Sequence, residues 1–386
     1  SAQSCLQPGT LSDTIRRTSV IKGINKSVYM EKLNVAILGA TGAVGQRFIQ
    51  LLENHPWFTI TELAGKSSAG KVYGEAVHWM LDGEVPSDVA DITVKSLDDE
   101  FTAPLIFSAL PKEAAKTREL ELAAAGHVVC TNASSNRMLL DVPLLLPEVN
   151  HEHVALIDVQ REQRGWSSGA LIANSNCTVM PVVMALAPLK QFGIRKIHMV
   201  SEQAISGAGY PGVSALDIID NIVPYVSSDE DKMETESLKM LGELVDDNIE
   251  YLDAIPGATC TRVPVIDGHL VNMSIELSEK VAVNEIISAW EQYVVPSMII
   301  NLPSAPAHPV QYLYQIDRPQ PRRDRNAGNG MMTSIGRLRE CPILDYKFAA
   351  LTHNTIRGAA GCSILNAEYL AVKGYIQQFQ PESLYA

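Results

Sequence analysis

Short apolar runs alternate with amphipathic segments along the first third of the chain. Four of the runs have the length and content of buried strands, at residues 33–38, 58–64, 105–110 and 127–131. Between them, apolar residues recur at helical spacing from residue 43 to about 55 and from 111 to about 125. Strands that alternate with helices in this order predict a parallel sheet covered by helices, the α/β class.

The pattern changes after about residue 150, where longer segments alternate apolar and polar positions. The predicted strands of this part lie at residues 195–202, 260–265, 269–277 and 331–337. The predicted helices lie at residues 213–222, 233–244, 281–295 and 357 to about 377. Asp267-Gly268 separates two of these strands and is a turn typical of a β-hairpin.

Composition narrows the class of protein. The 386 residues are 46% apolar and 19% charged, which is ordinary for a globular enzyme or binding protein. The net charge of −13 argues against nucleic-acid and anionic-membrane partners, since both need a broad basic surface. The six cysteines are scattered, without zinc-site spacing, so we expect reduced thiols and no metal centre.

Residues 1–29 differ from the rest of the chain. They are polar, lack apolar periodicity and carry Arg16, Arg17, Lys22 and Lys26 against the single Asp13. Such composition fits either a disordered extension or a basic, Ser-containing organellar leader. We expect a disordered extension on a cytoplasmic protein, with the leader as the alternative.

The first predicted strand runs into the glycine-rich turn Gly39-Ala40-Thr41-Gly42-Ala43-Val44-Gly45, which opens a helix. Glycines at such a turn let the backbone approach a pyrophosphate, which then rests on the N-terminus of the helix. Strands on both sides make this the expected context of a dinucleotide site. The alternative is a glycine-rich turn without a ligand.

The end of the second predicted strand indicates which dinucleotide is bound. Folds that bind NAD usually place Asp or Glu there, to hold the ribose hydroxyls. This chain has Gly65-Lys66-Ser67-Ser68, and Lys66 with the two hydroxyls suits a 2′-phosphate. We therefore expect NADP, the alternative being that Lys66 is a solvated loop residue.

Cys177 lies in Ala173-Asn174-Ser175-Asn176-Cys177-Thr178, between an apolar run at 169–173 and a predicted helix that contains Pro181 and stops near Gly193. A thiol near a helix N-terminus ionises more easily and can act as a nucleophile. The alternative is an inert core thiol.

Several polar residues could assist such a nucleophile. His269 begins a strand and shares its face with Val271 and Met273, and pairing across the predicted hairpin places Arg262 opposite Met273, on the same face. The two side chains would then face one pocket from positions about 13 Å apart along the strand. The alternative for His269 is a core or turn histidine with a structural partner.

Two further polar segments each allow either a functional or a structural role. Gln203 ends a strand before the glycine-rich segment Ser206-Gly207-Ala208-Gly209, where it could orient a substrate or cap the turn. Asp229-Glu230-Asp231-Lys232 opens a helix, where acidic residues are favoured by the helix dipole alone.

Taken together, the motifs resemble those of aspartate-semialdehyde dehydrogenase, most closely its fungal and archaeal branch. The resemblance extends from about residue 32 to the end. It rests on the glycine-rich turn at 39–45, Ser175-Asn176-Cys177-Thr178, Gln203 with 206–209, Arg262-Val263-Pro264 with His269, and His353-Asn354-Thr355-Ile356-Arg357-Gly358-Ala359-Ala360-Gly361.

The resemblance implies roles for individual residues. Cys177 would be the acyl-accepting nucleophile, His269 the general acid/base, and Gln203 a residue that positions the substrate. The implied substrate contacts are Arg137 and Lys232 for phosphate, Arg262 for the α-carboxylate, and Asn176. Asp229 stands where the family usually has Glu, and Glu230 is adjacent. Either carboxylate could therefore be the one that contacts the substrate. The implied NADP contacts are Gly39, Thr41, Gly42, Ala43, Val44, Lys66, Ser67, Ser68, Ser206, Gly207 and Asn354.

The resemblance also implies an architecture and a reaction. A Rossmann-type NADP-binding domain would comprise residues 30–150 and 351–386, and a mixed-sheet catalytic and dimerisation domain residues 151–350, in a homodimer or homotetramer. The implied reaction is NADPH-dependent reduction of L-aspartyl 4-phosphate to L-aspartate 4-semialdehyde with release of phosphate, through a cysteine thioester. The alternatives are another acyl-thioester reductase such as malonyl-CoA reductase, or a non-enzymatic NADP-binding redox sensor.

Overall fold

The structure is a computed structural model that describes residues 32–377 and residue 379. The extension predicted at 1–29 lies outside the described residues. Within the described part of the chain, no helix is both long and apolar enough to span a bilayer.

A five-stranded parallel sheet forms the first layer, in the order β2-β1-β3-β4-β5. Its strands are β1 Leu33–Leu38, β2 Phe58–Ala64, β3 Leu105–Ser108, β4 Val128–Thr131 and β5 Ala170–Ala173. All residues of β3, β4 and β5 are buried, as expected for a parallel sheet covered on both faces. The chain order reverses between β1 and β3, which is where such sheets bind ligands. This confirms the predicted α/β class.

A six-stranded mixed sheet forms the second layer, in the order β11-β12-β13-β10-β6-β9. The remaining strands, in chain order, are β6 Ile194–Gln203, β7 Glu243–Val245, β8 Asn248–Glu250, β9 Ile255–Arg262, β10 His269–Leu277, β11 Val310–Leu313, β12 Thr333–Glu340 and β13 Tyr346–Thr352. The short strands β7 and β8 pair only with each other.

The predicted hairpin around Asp267-Gly268 is wrong. Strand β6 lies between β9 and β10, parallel to β9 and antiparallel to β10. Met273 therefore pairs with Met199 rather than Arg262, and Arg262 pairs with Gln203 at the end of β6. A turn signal reports only the local reversal of the chain, and here a strand from farther away provides the hydrogen bonds.

The helices cover both sheets. In chain order they are α1 Ala43–Leu52, α2 Tyr73–Ala76, α3 Ser87–Ala90, α4 Lys112–Ala124, α5 Pro147–Asn150, α6 Leu156–Arg164, α7 Val179–Leu186, α8 Ala215–Ile218, α9 Asp229–Met240, α10 Val283–Glu291, α11 Ser297–Ile300, α12 Pro321–Asp324 and α13 Gly361–Val372. Short 3₁₀ segments occupy His151–Ala155, Ala187–Phe192, Ile205–Ala208 and Ala327–Gly330, and Ile356–Ala360 is a π-helix.

Two helices connect the layers to the site. Every residue of α7 is buried, and this helix packs against β10, β12 and β13 of the second sheet and against α9. Helix α13 is almost wholly buried and packs against β4 and α1 of the first layer. Because β5 belongs to the first sheet, that layer extends past residue 150, where the sequence suggests a domain boundary.

Candidate active site

Cys177 lies in the five-residue link, 174–178, between β5 and α7, as the sequence predicts. Asn176 shapes this link: its side-chain Oδ1 accepts from the N–H of Thr178 at 2.8 Å, and its carbonyl accepts from the N–H of Val179 at 3.0 Å. The π-helix lies directly against the cysteine, since a Cβ added to Gly358 would stand 2.6 Å from the Cβ of Cys177. The half-buried thiol is thus fixed between two helix starts.

The expectation of an easily ionised thiol is not met in this structure. Desolvation, with a smaller contribution from the carboxylate of Asp229, raises the pKa of Cys177 to about 11. Arg137 and Arg262 oppose this shift, because their positive charges favour the thiolate. Burial therefore outweighs the favourable effect of the N-terminus of α7 on the thiolate, and the thiol is protonated at neutral pH.

His269 is the first residue of β10 and is fully buried. The backbone N–H of Ala204 donates to its Nδ1 at 3.0 Å, so the neutral ring carries its proton on Nε2. Nε2 has no partner within the described part of the chain. Burial and the neighbouring Arg262 lower the pKa of His269 to about 3, which keeps the ring neutral at physiological pH. The ring is therefore held as a hydrogen-bond donor through Nε2.

Arg262 and His269 do face a common space, although not through the pairing that the sequence suggested. Arg262 donates through Nη1 to the carbonyl oxygen of Ala204 at 2.6 Å, so the same residue anchors both side chains. A Cβ on Gly207 would come within 2.9 Å of Arg262 Nη1 and of His269 Nε2. Only glycine leaves this space open.

Gln203 completes this group from the end of β6. Its side chain is buried, and Nε2 donates to the Ser201 hydroxyl at 3.3 Å. Its backbone is paired with Arg262 of β9. The ends of β6, β9 and the start of β10 therefore bring Gln203, Arg262 and His269 together.

Helix α9 carries the acidic and basic residues that the sequence placed at the substrate. Asp229 is buried, accepts from the side chain of Asn176 at 3.3 Å and pairs with Lys232 at 2.7 Å. Glu230 instead accepts from the backbone N–H of Cys260 at 2.9 Å. The structure thus brings Asp229, rather than Glu230, to the loop of the nucleophile.

Arg137 is also close to this loop but is already paired. Its Nη1 donates to Glu236 on α9 at 3.0 Å, its Nη2 donates to the carbonyl oxygen of Asn132 at 2.7 Å, and its Nε has no partner within the described part of the chain. Glu236 was missed in the sequence. The signal for it is spacing, because it follows Asp229 by seven residues and Lys232 by four, on one face of α9.

The glycine-rich turn has the shape that a dinucleotide requires. Gly39 has a φ of +75°, and a Cβ there would stand 2.6 Å from the carbonyl oxygen of Ala109, in the loop after β3. Gly45 packs as closely, with its added Cβ 2.7 Å from Ala40 Cα. Helix α1 then begins at Ala43 after Gly42, without an acidic residue in its first turn. Its N-terminus is therefore free to accept phosphate.

A cleft of about 710 Å³, including space open to solvent, extends from this helix start to the 3₁₀ segment Ile205–Ala208. Its walls include Ala43, Arg47, Ser206, Asp267 and Thr355. Asn354 holds the far side in place, because its Nδ2 donates to the Ser206 hydroxyl at 2.8 Å and its Oδ1 accepts from the N–H of Gly268. Two of the residues predicted to bind the cofactor, Ala43 and Ser206, thus line one groove, and Asn354 supports its wall through Ser206.

Arg47 in the same cleft was not predicted. It lies in the second turn of α1, donates to the Thr355 hydroxyl at 3.1 Å and to Gln50 at 2.7 Å. A basic residue five positions beyond Gly42 of a dinucleotide motif was the signal for it.

The residues expected to hold the 2′-phosphate differ in their exposure to solvent. Lys66 and Ser67 are exposed and accessible to a ligand. Ser68 is buried, and its hydroxyl lies next to Gly65 without a hydrogen-bond partner among residues 32–377. Lys66 and Ser67 therefore fit the predicted role better than Ser68. Thr41 and Val44 lie half-buried beside the exposed Gly42 at the start of α1.

Known proteins are similar to this chain in sequence and in fold. The family profile described as "Semialdehyde dehydrogenase, NAD binding domain" matches residues 34–157, and "Semialdehyde dehydrogenase, dimerisation domain" matches residues 186–357. Aspartate-semialdehyde dehydrogenase of Archaeoglobus fulgidus is 47% identical over 341 residues, 88% of this chain and 98% of that protein. The Saccharomyces cerevisiae enzyme is 41% identical over 357 residues, again 88% and 98%.

A solved structure gives the same result. The crystal structure of the Candida albicans aspartate-semialdehyde dehydrogenase with NADP aligns with a TM-score of 0.82 at 39% identity, covering 90% of this chain and 100% of that one. The resemblance inferred from the motifs is thereby confirmed for both archaeal and fungal relatives. The chain belongs to the aspartate-semialdehyde dehydrogenase family.

Proposed function

We propose that this chain catalyses the NADPH-dependent reduction of L-aspartyl 4-phosphate to L-aspartate 4-semialdehyde, releasing phosphate, in the biosynthesis of aspartate-derived amino acids. The observation that carries the proposal is the group around Cys177. The positive charges of Arg137 and Arg262 favour the ionised form of the thiol, and Nε2 of the neutral His269 ring has no partner among the described residues. A redox sensor instead needs a thiol that ionises readily, whereas burial raises the pKa of Cys177 to about 11.

Cys177 is the nucleophile of the proposed reaction. Its sulfur attacks the acyl carbon of the substrate, the bond between that carbon and the phosphate oxygen breaks, and a thioester forms on the enzyme. The thiol proton leaves with the phosphate as HPO₄²⁻. Arg137 and Lys232 bind the phosphate, and Arg262 binds the α-carboxylate through its planar fork. Two easier steps replace one difficult step.

His269 acts in the second half of the reaction. When bound, NADPH supplies the hydride that reduces the thioester carbonyl. The Nε2–H of His269 then donates its proton to the oxygen of the resulting hemithioacetal anion. As that group collapses, the hydroxyl proton returns to His269 and the C–S bond breaks. The aldehyde is released, and the Cys177 thiolate takes up a proton from water. Gln203 and Asn176 orient the substrate, and Asp229 fixes Lys232.

The cofactor is proposed to bind along the groove from the glycine-rich turn to Asn354. The main-chain N–H groups from Thr41 to Val44 hold the pyrophosphate, and Lys66 with Ser67 holds the 2′-phosphate. Ser206 and Gly207 line the nicotinamide end, with Arg47 beside them.

The proposed organisation follows from these assignments. Residues 30–150 with 351–386 make up the proposed NADP-binding domain, which strand β5 also joins because it pairs with β4 in the parallel sheet. The rest of residues 151–350 make up the catalytic domain, which forms the subunit contact of a homodimer or homotetramer. The match to a dimerisation domain over residues 186–357 supports this contact. A cytoplasmic location is proposed from the reduced thiols.

The test is NADP reduction by the purified protein with aspartate semialdehyde, with and without inorganic phosphate. Turnover that requires phosphate is expected. Equal turnover without phosphate, or preference for coenzyme A as acyl acceptor, would favour a thioester reductase instead. No turnover with intact NADP binding would favour the sensor.

A further inference from the structure

Helix α9 presents a buried carboxylate that the reaction above does not use. Glu236 is 2% exposed and lies on the same face of α9 as Asp229 and Lys232. Its environment contains three hydrogen-bond donors, all from the two loops that build the site. Such a charge is costly to bury unless every donor is well placed.

The two oxygens of Glu236 serve different partners. Oε1 accepts from Nη1 of Arg137 at 3.0 Å. Oε2 accepts from the Ser175 hydroxyl at 2.9 Å and from the backbone N–H of Asn176 at 2.7 Å. One carboxylate therefore joins the proposed phosphate-binding arginine to the two residues that precede Cys177.

The other contacts of these groups leave little freedom. Arg137 is held on its second nitrogen by the carbonyl oxygen of Asn132 at 2.7 Å, so its guanidinium plane is fixed from two sides. Asn176 is held from the same helix at its side chain, by Asp229 at 3.3 Å. Helix α9 thus binds both the backbone and the side chain of Asn176, the residue before the nucleophile.

We propose that Glu236 is a positioning residue that sets the guanidinium of Arg137 and the backbone before Cys177 in one rigid frame. It touches neither substrate nor cofactor. It fixes the distance between the phosphate site and the sulfur, so that the acyl carbon of a bound acyl phosphate lies in line with the nucleophile. The inference rests on the proposed function, since it requires a phosphate at Arg137.

Replacing the carboxylate by an amide separates this role from simple packing. Gln has almost the same shape, but its NH₂ group cannot accept a hydrogen bond. In Glu236→Gln, either Arg137 or the Ser175-Asn176 loop must face a donor instead of an acceptor. The frame is lost on one side while the volume of the core is kept.

A matched control exists on α13. Glu368 is fully buried and accepts from His55 at 2.8 Å and from the Ser304 hydroxyl at 2.6 Å, and it contacts no residue proposed to act in the reaction. Glu368→Gln therefore removes an equally buried charge with a comparable loss of hydrogen bonds. It measures what loss of a buried carboxylate does to folding alone.

The experiment compares steady-state kinetics of the two variants with the wild type in phosphate-dependent oxidation of aspartate semialdehyde, normalised to folded protein. Glu236→Gln is expected to raise the apparent KM for phosphate and lower kcat, each by roughly 10- to 100-fold, the scale of a misplaced reacting group. The KM for NADP should change less than about twofold in both variants. Glu368→Gln should lower only the melting temperature.

Each outcome either supports the role proposed for Glu236 or overturns it. If the wild type needs no phosphate, the proposed function fails and this inference fails with it. If the wild type needs phosphate and Glu236→Gln behaves as Glu368→Gln does, the inference alone is overturned. Should Glu236→Gln not fold, Ser175→Ala removes a single donor to the same carboxylate, and an unchanged kcat and phosphate KM in that variant would overturn the inference.

Discussion

Gly358→Ala is the substitution that most directly tests the packing behind the nucleophile. Gly358 lies in the π-helix, and a Cβ there would stand 2.6 Å from the Cβ and 3.0 Å from the Cα of Cys177. Carbon atoms pack at about 3.5–4.0 Å, so the two segments must separate by roughly 1 Å. Neither partner can turn away, because one of the atoms struck is backbone.

The expected cost follows from that displacement. Misplacing a reacting atom by about 1 Å lowers turnover on the order of 10²-fold. Overpacking of this kind also lowers stability by about 1–3 kcal/mol. NADP binding should be kept, since Gly358 does not line the cleft.

The assay is kcat of purified Gly358→Ala in the phosphate-dependent oxidation of aspartate semialdehyde, with NADP affinity measured by fluorescence titration. Gly257→Ala is the control, because an added Cβ there meets no atom within 4 Å. It should turn over like the wild type. A wild-type kcat in Gly358→Ala would refute the claim that the π-helix fixes the sulfur.

Further predictions concern the groups around the thiol and the cofactor. His269→Asn should lower turnover on the order of 10²-fold while Cys177 is still acylated, and a near-normal rate in stopped-flow assays would move the proton donor elsewhere. Lys66→Glu should narrow or invert the preference for NADP over NAD, and a wild type equally active with both cofactors would contradict the assignment. Arg262→Lys should severely raise KM for the semialdehyde, because a point charge cannot replace the fork; an unchanged KM would place the carboxylate elsewhere. Because the pKa of Cys177 is raised to about 11, its alkylation by iodoacetamide should still rise about tenfold per pH unit between pH 8 and 9, and a plateau in that range would show an ionised thiol.

The first layer was predictable because its signals are local. Strands β1 and β2 have the predicted bounds, and β3 and β4 end or begin within two residues of them. Each is a short apolar run between a helix and a turn residue, and burial on both faces leaves no other arrangement for such runs. The glycine-rich turn adds a chemical requirement to the same segment.

The second layer was harder because its contacts join distant residues. Strand β6 intervenes between β9 and β10, and no feature of Asp267-Gly268 reveals that pairing. The predicted helix at 213–222 is a single turn, Ala215–Ile218, in which Ile218 is buried. Its other apolar residues remain exposed, Leu216 at 92%, Ile219 at 67% and Ile222 at 59%. Apolar spacing reports a helix only when a core receives its apolar face.

The residues proposed for the site could be named from the sequence, but their electrostatics could not. The motifs identify Cys177 and His269, yet the raised pKa of the thiol depends on burial and on Asp229, which only the folded chain provides. The pairing of Arg137 with Glu236 joins residues 99 positions apart, and their sequence neighbourhoods do not indicate it.

The central claim is that Cys177 forms a thioester with the aspartyl group. The direct measurement is mass spectrometry of the acid-quenched protein after incubation with aspartate semialdehyde and NADP without phosphate. We predict an aspartyl adduct on the peptide that contains Cys177, its discharge on addition of phosphate, and no adduct in Cys177→Ala. Loss of the nucleophile should leave no more than about one per cent of wild-type turnover. Higher turnover by Cys177→Ala, or an adduct on another cysteine, would contradict the account.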